Sequence, residues 1–181
     1  MKILKNRVAL AAVLALAVLG GVAWSKRAPQ IVPLQTPTEA QFAKIFTGDS
    51  RQILEGSDHL FLYSLAAYGK PDETYEAGYF GDEWRSLGHV AIGDAKTKAA
   101  LLAAFLDGIA QGKTRALCFE PRHGLRATRN GKTIDFVICF HCLQMQIYDG
   151  STENPPYVAI SNAPKKFFDD LLSANGIALS Q

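Results

Sequence analysis

The amino-acid sequence predicts an α+β fold, in which one mainly antiparallel sheet is flanked by two or three helices and preceded by an N-terminal apolar helix. Helical patterns lie on both sides of a block of short strand-like runs. The connections within this block are short, and short connections join antiparallel neighbours. An Asn-Gly pair at residues 130–131 lies between two of the runs and indicates a tight hairpin.

Three segments combine an apolar stripe at helical spacing with residues that begin or end helices. In the first, Thr36 is expected to be the N-cap, with Pro37 in the first turn and Glu39 as the capping-box acid. Asp94 is a typical N-cap for the second helix, and Pro164 is expected to open the third. The expected ends of the three helices are Gly48, Gly112 and Gly176.

Seven short runs rich in apolar, aromatic and β-branched residues predict strands. They cover residues 59–66, 87–92, 115–119, 125–129, 133–140, 143–147 and 157–161. The longest irregular stretch, residues 69–84, is rich in glycine, acids and aromatic residues. A loop of this length in a compact domain is often functional. Such a loop can also be a surface loop that packs against its own aromatic side chains. Residues 69–84 are therefore a candidate surface for a protein partner of unknown identity.

Asn130 and Gly131 favour a type I′ turn, because both central positions of this turn need positive φ. A turn of two residues fixes the register of the flanking strands. The expected cross-strand pairs are Arg129 with Lys132, Thr128 with Thr133, Ala127 with Ile134, Arg126 with Asp135 and Leu125 with Phe136. This register sets apolar residues opposite one another and an arginine opposite an acid. If the partner strand extends further, Arg122 is expected to lie near Cys139.

The apolar residues change parity after His141. Before it they are even-numbered and after it odd-numbered: Phe136, Ile138 and Phe140, then Leu143, Met145 and Ile147. One extra residue, in a β-bulge or tight bend near His141, would keep both sets on one core face. The same offset would direct the thiols of Cys139 and Cys142 to one side, whereas a regular strand would direct them to opposite faces.

Residues 1–27 have the form of a signal peptide or transmembrane anchor. Lys2, Lys5 and Arg7 precede an uncharged apolar run over residues 8–24. The length and flanks of the run leave open whether it is cleaved or retained as a membrane anchor. The basic cluster before the run predicts that the rest of the chain lies outside the cytoplasm, in the cell envelope.

The remainder of the chain is expected to form one domain. Residues 28–35 contain two prolines and are expected to be an extended linker, followed by a single α+β domain over residues 36–181. From Ile31 onward the chain has 14 Lys and Arg against 17 Asp and Glu, a net charge of −3. This balance excludes the broad basic surface of a nucleic-acid-binding protein.

Three cysteines and two histidines near the hairpin are the candidates for chemistry. Cys139 and Cys142 form a Cys-x-x-Cys pair whose spacing suits one tetrahedral ion, and Cys118 is the third thiol. His123 or His141 would complete a Cys₃His set. We expect a metal site, with zinc as the favoured ion, at Cys118, His123, Cys139 and Cys142.

The same residues support other interpretations. An odd number of cysteines in an oxidising compartment permits one disulfide that uses two of the three, and buried thiols are often inert. A thiol-dependent enzyme or redox protein would use Cys139 and Cys142, or a thiol activated by a histidine. A redox motif is normally found at a helix N-terminus, whereas this one follows a strand. A non-enzymatic role is therefore favoured, and no catalytic residue is assigned.

Basic residues are concentrated around the predicted hairpin. They are Lys113, Arg115, Arg122, Arg126, Arg129 and Lys132. Arg122 and Arg126 are candidates to bind an anionic headgroup or a carboxylate. Exposed charges are also ordinary on the solvated face of an antiparallel sheet, and Arg126 has Asp135 as its expected neighbour.

The segments CFEPRHG (residues 118–124) and ICFHC (residues 138–142) resemble a signature found in small exported or membrane-anchored bacterial proteins of unknown function. The resemblance covers residues 87–148. It implies no activity or cofactor, and it marks only the cysteine and histidine cluster as the feature to test. His141 stands where the resemblance leads us to expect an acidic residue, which favours His123 as the ligand.

Overall fold

The computed structural model describes residues 36–46, 48–67, 79–80, 84–150 and 155–180. The signal or anchor predicted for residues 1–27, the linker over residues 28–35 and most of the loop over residues 69–84 lie outside the described residues. Within the described part of the chain, no helix is long and apolar enough to span a bilayer.

The predicted α+β class with one antiparallel sheet is confirmed. The strands are β1 (His59–Leu65), β2 (Tyr79–Phe80), β3 (Trp84–Ala91), β4 (His123–Arg129), β5 (Lys132–Cys139), β6 (Gln144–Tyr148) and β7 (Val158–Ala159). Their spatial order is β2-β3-β1-β4-β5-β6-β7, and all neighbouring strands pair antiparallel. The long strands β1, β4 and β5 therefore lie in the middle, where both edges of each are hydrogen-bonded.

Four helices accompany the sheet within the described ranges: α1 (Glu39–Ile45), α2 (Ser50–Glu55), α3 (Ala95–Gln111) and α4 (Lys165–Ala174). The helix α2 was not predicted, because six residues are too few to show a helical period. The N-cap of α1 is Thr38 and not Thr36. Thr38 exchanges hydrogen bonds with Gln41, so the capping box forms two residues later than predicted. Asp94 caps α3 as predicted, since its carboxylate accepts the Thr97 N–H at 2.8 Å.

All four helices contribute to one core cluster on a single face of the sheet. The buried helix residues include Phe42, Leu54, Phe105 and Phe168, and the strand residues they join include Leu62, Leu125, Phe136 and Met145. Phe105 packs edge-on against Phe136, with ring centroids 5.0 Å apart. The opposite face carries a smaller cluster around Leu65 and Val137. The domain thus has two layers, helices over sheet, with its main core between them.

The hairpin register predicted from Asn130 and Gly131 is confirmed. Both residues have positive φ, 50° and 75°. The pairing runs from Arg129 opposite Lys132 through Leu125 opposite Phe136, and it extends to His123 opposite Ile138. The two turn residues therefore set the alignment of every residue pair between β4 and β5.

The change of parity near His141 arises from a second hairpin, not from a bulge in one strand. Residues 140–143 form its turn, and Ile138 faces Met145 across it. Even-numbered residues of β5 therefore pair with odd-numbered residues of β6 and face the same core. The bend predicted near His141 is confirmed. The strand predicted over residues 115–119 was wrong, because this segment joins no strand ladder.

Candidate functional site

The β5–β6 turn places two cysteines against each other. Cys139 is the last residue of β5 and Cys142 lies in the turn, and they form a disulfide with Cα atoms 5.2 Å apart. Leu143 closes the turn with φ of 55°, a left-handed conformation that reverses the chain direction within four residues. The Cys142 N–H also donates to Cys139 Sγ at 3.1 Å. Both cysteines are fully buried.

The third cysteine lies beside this disulfide. Cys118 Sγ is 2.8 Å from Cys142 Sγ. Two hydrogen bonds hold the Cys118 segment there: the Ala116 N–H donates to the Cys142 carbonyl at 2.9 Å, and the Gln144 side-chain amide donates to the Cys118 carbonyl. Cys118 is the free cysteine of the chain and is partly exposed. A free thiol therefore contacts a buried disulfide through Cys142.

Aromatic packing fixes the same segment on the second face of the sheet. Phe119, next to Cys118, lies between Trp84 and Tyr157, with ring centroids 5.7 Å and 5.0 Å away. Aromatic pairs at these distances favour edge-on contact, and both pairs have it. Phe119 thus anchors the chain next to the free thiol.

His123 does not join the three sulfurs. Its Nε2 lies 2.8 Å from Asp169 Oδ1 on α4, and its ring packs 5.0 Å from that of Phe140 on the core face. Strand alternation directs Cys139 to the other face of the sheet, because its neighbour Ile138 faces the core. The structure therefore brings together three of the four predicted metal ligands. Among the described residues, no group of three or more His, Cys, Asp or Glu side chains is arranged to hold a metal ion.

Asp169 was missed by sequence reasoning, because it lies 46 residues from His123. The hydrogen bond from His123 is the largest cause that lowers the pKa of Asp169, with Lys165 adding to it and partial burial opposing it. Lys165 Nζ is 2.5 Å from Asp169 Oδ2. The i,i+4 spacing of Lys165 and Asp169 was visible in the sequence, but it did not reveal the histidine.

The two arginines predicted to bind an anion have different surroundings. Arg126 makes a bidentate ion pair with Asp135, at 2.7 Å and 2.6 Å, as the register predicted. This carboxylate is the largest cause that raises the pKa of Arg126. The Nε of Arg122 is buried and has no hydrogen-bond partner in the described part of the chain. His141 is exposed in the turn.

No family model, curated protein or solved structure matches this chain.

Proposed function

We propose that this domain is a thiol–disulfide redox protein, in which Cys118 connects a buried disulfide to external thiols. The observation that carries the proposal is the 2.8 Å contact between Cys118 Sγ and Cys142 Sγ. Thiol–disulfide exchange begins with a thiolate attacking a disulfide sulfur, so a thiol in contact with a disulfide is placed for this step. No acyl or phosphoryl pocket is needed.

The first step is internal. The Cys118 thiolate attacks Cys142 Sγ, the Cys118–Cys142 bond forms, and the Cys139–Cys142 bond breaks. Cys139 leaves as a thiolate and takes up the proton that Cys118 lost. The Cys142 N–H, 3.1 Å from Cys139 Sγ, stabilises the charge on this leaving group. A backbone N–H thus supplies part of what a helix N-terminus supplies in other redox motifs.

The second step transfers two electrons from an external dithiol. One substrate thiolate attacks Cys118, the partly exposed sulfur, and Cys142 leaves as a thiolate. The second substrate thiol then attacks the mixed disulfide, which releases Cys118 and leaves the substrate oxidised. The protein ends with three thiols. The buried pair would in this way reach substrates only through Cys118, because Cys139 and Cys142 are fully buried.

A position outside the cytoplasm suits this chemistry. Disulfides form and persist in oxidising compartments, such as the bacterial envelope. We therefore retain the proposal that residues 1–27 export or anchor a domain that works in the cell envelope.

Alkylation of the oxidised protein tests the proposed exchange. We expect one thiol per chain when exchange is stopped at low pH and the label is added in denaturant, which exposes both sulfurs. The label should lie mostly on Cys118 and in smaller part on Cys139, because exchange frees Cys139. Cys142 belongs to both disulfides and should stay unlabelled. Tryptic mapping without reductant locates the label and the disulfides. Label on Cys142, or three equally labelled thiols, would argue against the exchange.

Zinc binding by the reduced domain is a second candidate, favoured by the convergence of three sulfurs. Once reduced, Cys118, Cys139 and Cys142 would offer three thiolates, and zinc is often held by three cysteines and one further ligand. For His123 to be the fourth ligand, its ring would have to leave the hydrogen bond with Asp169 and bind the ion instead. Elemental analysis of protein reduced and purified without chelator decides this: zinc near one per chain supports it, and less than about 0.2 per chain rejects it.

A further inference from the structure

A cavity lies at the end of the sheet where β4 begins and the β5–β6 turn reverses the chain. Its volume is about 360 Å³. The lining residues that matter here are Arg122, His123, Phe140, Leu143, Asn162 and Lys165. Small-molecule sites are typically concave, of roughly 300 to 1,000 Å³, and largely apolar with a few polar groups. This cavity has that size but a more polar lining, in which Phe140 and Leu143 are the apolar residues, and the thiol exchange does not use it.

The charges around the cavity favour an anion. Arg122 and Lys165 line it, while Glu120 is the acid among its lining residues. The buried Nε of Arg122 has no hydrogen-bond partner among the described residues. Lys165 is the first residue of α4, so the positive end of that helix also adjoins the cavity. Asp169 pairs with Lys165 and His123 but is not a lining residue.

His123 supplies a second, independent indication of a ligand. Its side chain lines the cavity, and the residue is only 3% exposed. The Nε2 of His123 is hydrogen-bonded to Asp169, whereas the buried Nδ1 has no hydrogen-bond partner within the described residues. Buried polar atoms are nearly always hydrogen-bonded, so an unpartnered nitrogen in a residue that lines a cavity indicates a missing polar group. Phe140 and Leu143 offer an apolar wall against which an apolar part of a ligand can pack.

We propose that this cavity binds a small organic carboxylate. The carboxylate lies toward Arg122 and Lys165, because a guanidinium binds a carboxylate through two parallel N–H donors. The apolar body lies against Phe140 and Leu143. His123 Nδ1 makes a polar contact with the ligand. The site is independent of the proposed redox function, since none of the three sulfurs lines it.

Phenylacetate is the probe that tests the site, and phenylacetamide is its uncharged match. In ¹H–¹⁵N NMR titrations of the oxidised full chain, phenylacetate is expected to bind with a Kd of about 1–10 mM. The shifted amides should lie in residues 122–123, 140–143 and 162–165. Phenylacetamide should produce no saturable shift in these segments. Equal affinity of the two probes, or shifts confined to other segments, would overturn the proposal.

Uncharged variants distinguish binding in the cavity from a general attraction of anions to the basic surface. Arg122→Gln and Lys165→Gln should each weaken phenylacetate binding about tenfold. Lys166→Gln is the matched control, because Lys166 has the same i,i+4 pairing with an aspartate but does not line the cavity. It should leave Kd unchanged. Retained binding in both Gln variants, or equal weakening by Lys166→Gln, would reject the site. If Arg122→Gln does not fold, Lys165→Gln alone decides.

Discussion

Replacement of Gly112 by alanine is expected to lower the free energy of unfolding by about 1–3 kcal/mol, a cost typical of overpacking. Gly112 caps α3, and a Cβ built there would lie 2.5 Å from the Ala159 carbonyl oxygen and 2.9 Å from the Ile160 backbone nitrogen. Backbone atoms cannot rotate away as a flexible side chain can. The end of α3 would therefore have to separate from the β7 segment.

Gly93→Ala is the matched control for this substitution. A Cβ at Gly93 would meet nothing within 4 Å. Its effect on the free energy of unfolding should stay within about 0.5 kcal/mol, as for most exposed positions. Urea denaturation followed by circular dichroism measures both variants. A Gly112→Ala protein as stable as wild type would show that α3 does not approach β7 as described.

Replacement of Arg126 by methionine is expected to cost about 2–3 kcal/mol. Asp135 is 7% exposed and would lose the guanidinium that binds both of its oxygens. Breaking a fully buried ion pair costs roughly 3–5 kcal/mol because it leaves an uncompensated charge. We expect less here, since the Arg126 side chain remains 30% exposed. The measurement is again the free energy of unfolding in urea.

Two companion variants identify the cause. Arg126→Met/Asp135→Leu removes both charges and should recover most of the lost stability, since apolar replacement of a buried pair is often neutral. Lys132→Met removes an exposed pair with Asp49 in the same hairpin region and should have no measurable effect. A double variant as unstable as Arg126→Met would mean that lost packing, not the unpaired carboxylate, explains the cost.

Much of the fold was predictable because local signals determine it. Asn130 and Gly131 set a register that placed Arg126 opposite Asp135, and the parity change at His141 identified the second turn. What sequence reasoning missed depends on tertiary packing. Residues 115–119 have the composition of a strand, but the Ala116 N–H donates a single hydrogen bond to the Cys142 carbonyl in the β5–β6 turn and no ladder forms with the described strands. An isolated hydrogen bond of this kind leaves no periodic pattern in the sequence.

The candidate site was predictable in part for the same reason. The offset near His141 indicated that Cys139 and Cys142 share one side, and the structure joins them in a disulfide. The role of His123 was missed because its strand was predicted to begin only at residue 125, whereas β4 begins at His123 and alternation places this residue on the core face. Its contact with Asp169, from the distant helix α4, leaves no local signal in the sequence. Proximity in sequence to Cys118 was a misleading guide for this residue.

The rate at which dithiothreitol reduces the Cys139–Cys142 disulfide tests the proposed relay most directly. Cys118→Ser removes the relaying thiol with little change of volume. Under native conditions we expect reduction of the variant to be slower by about tenfold or more, because access controls thiol attack. In denaturant both proteins should react alike. Equal native rates would contradict the claim that the buried disulfide is reached through Cys118.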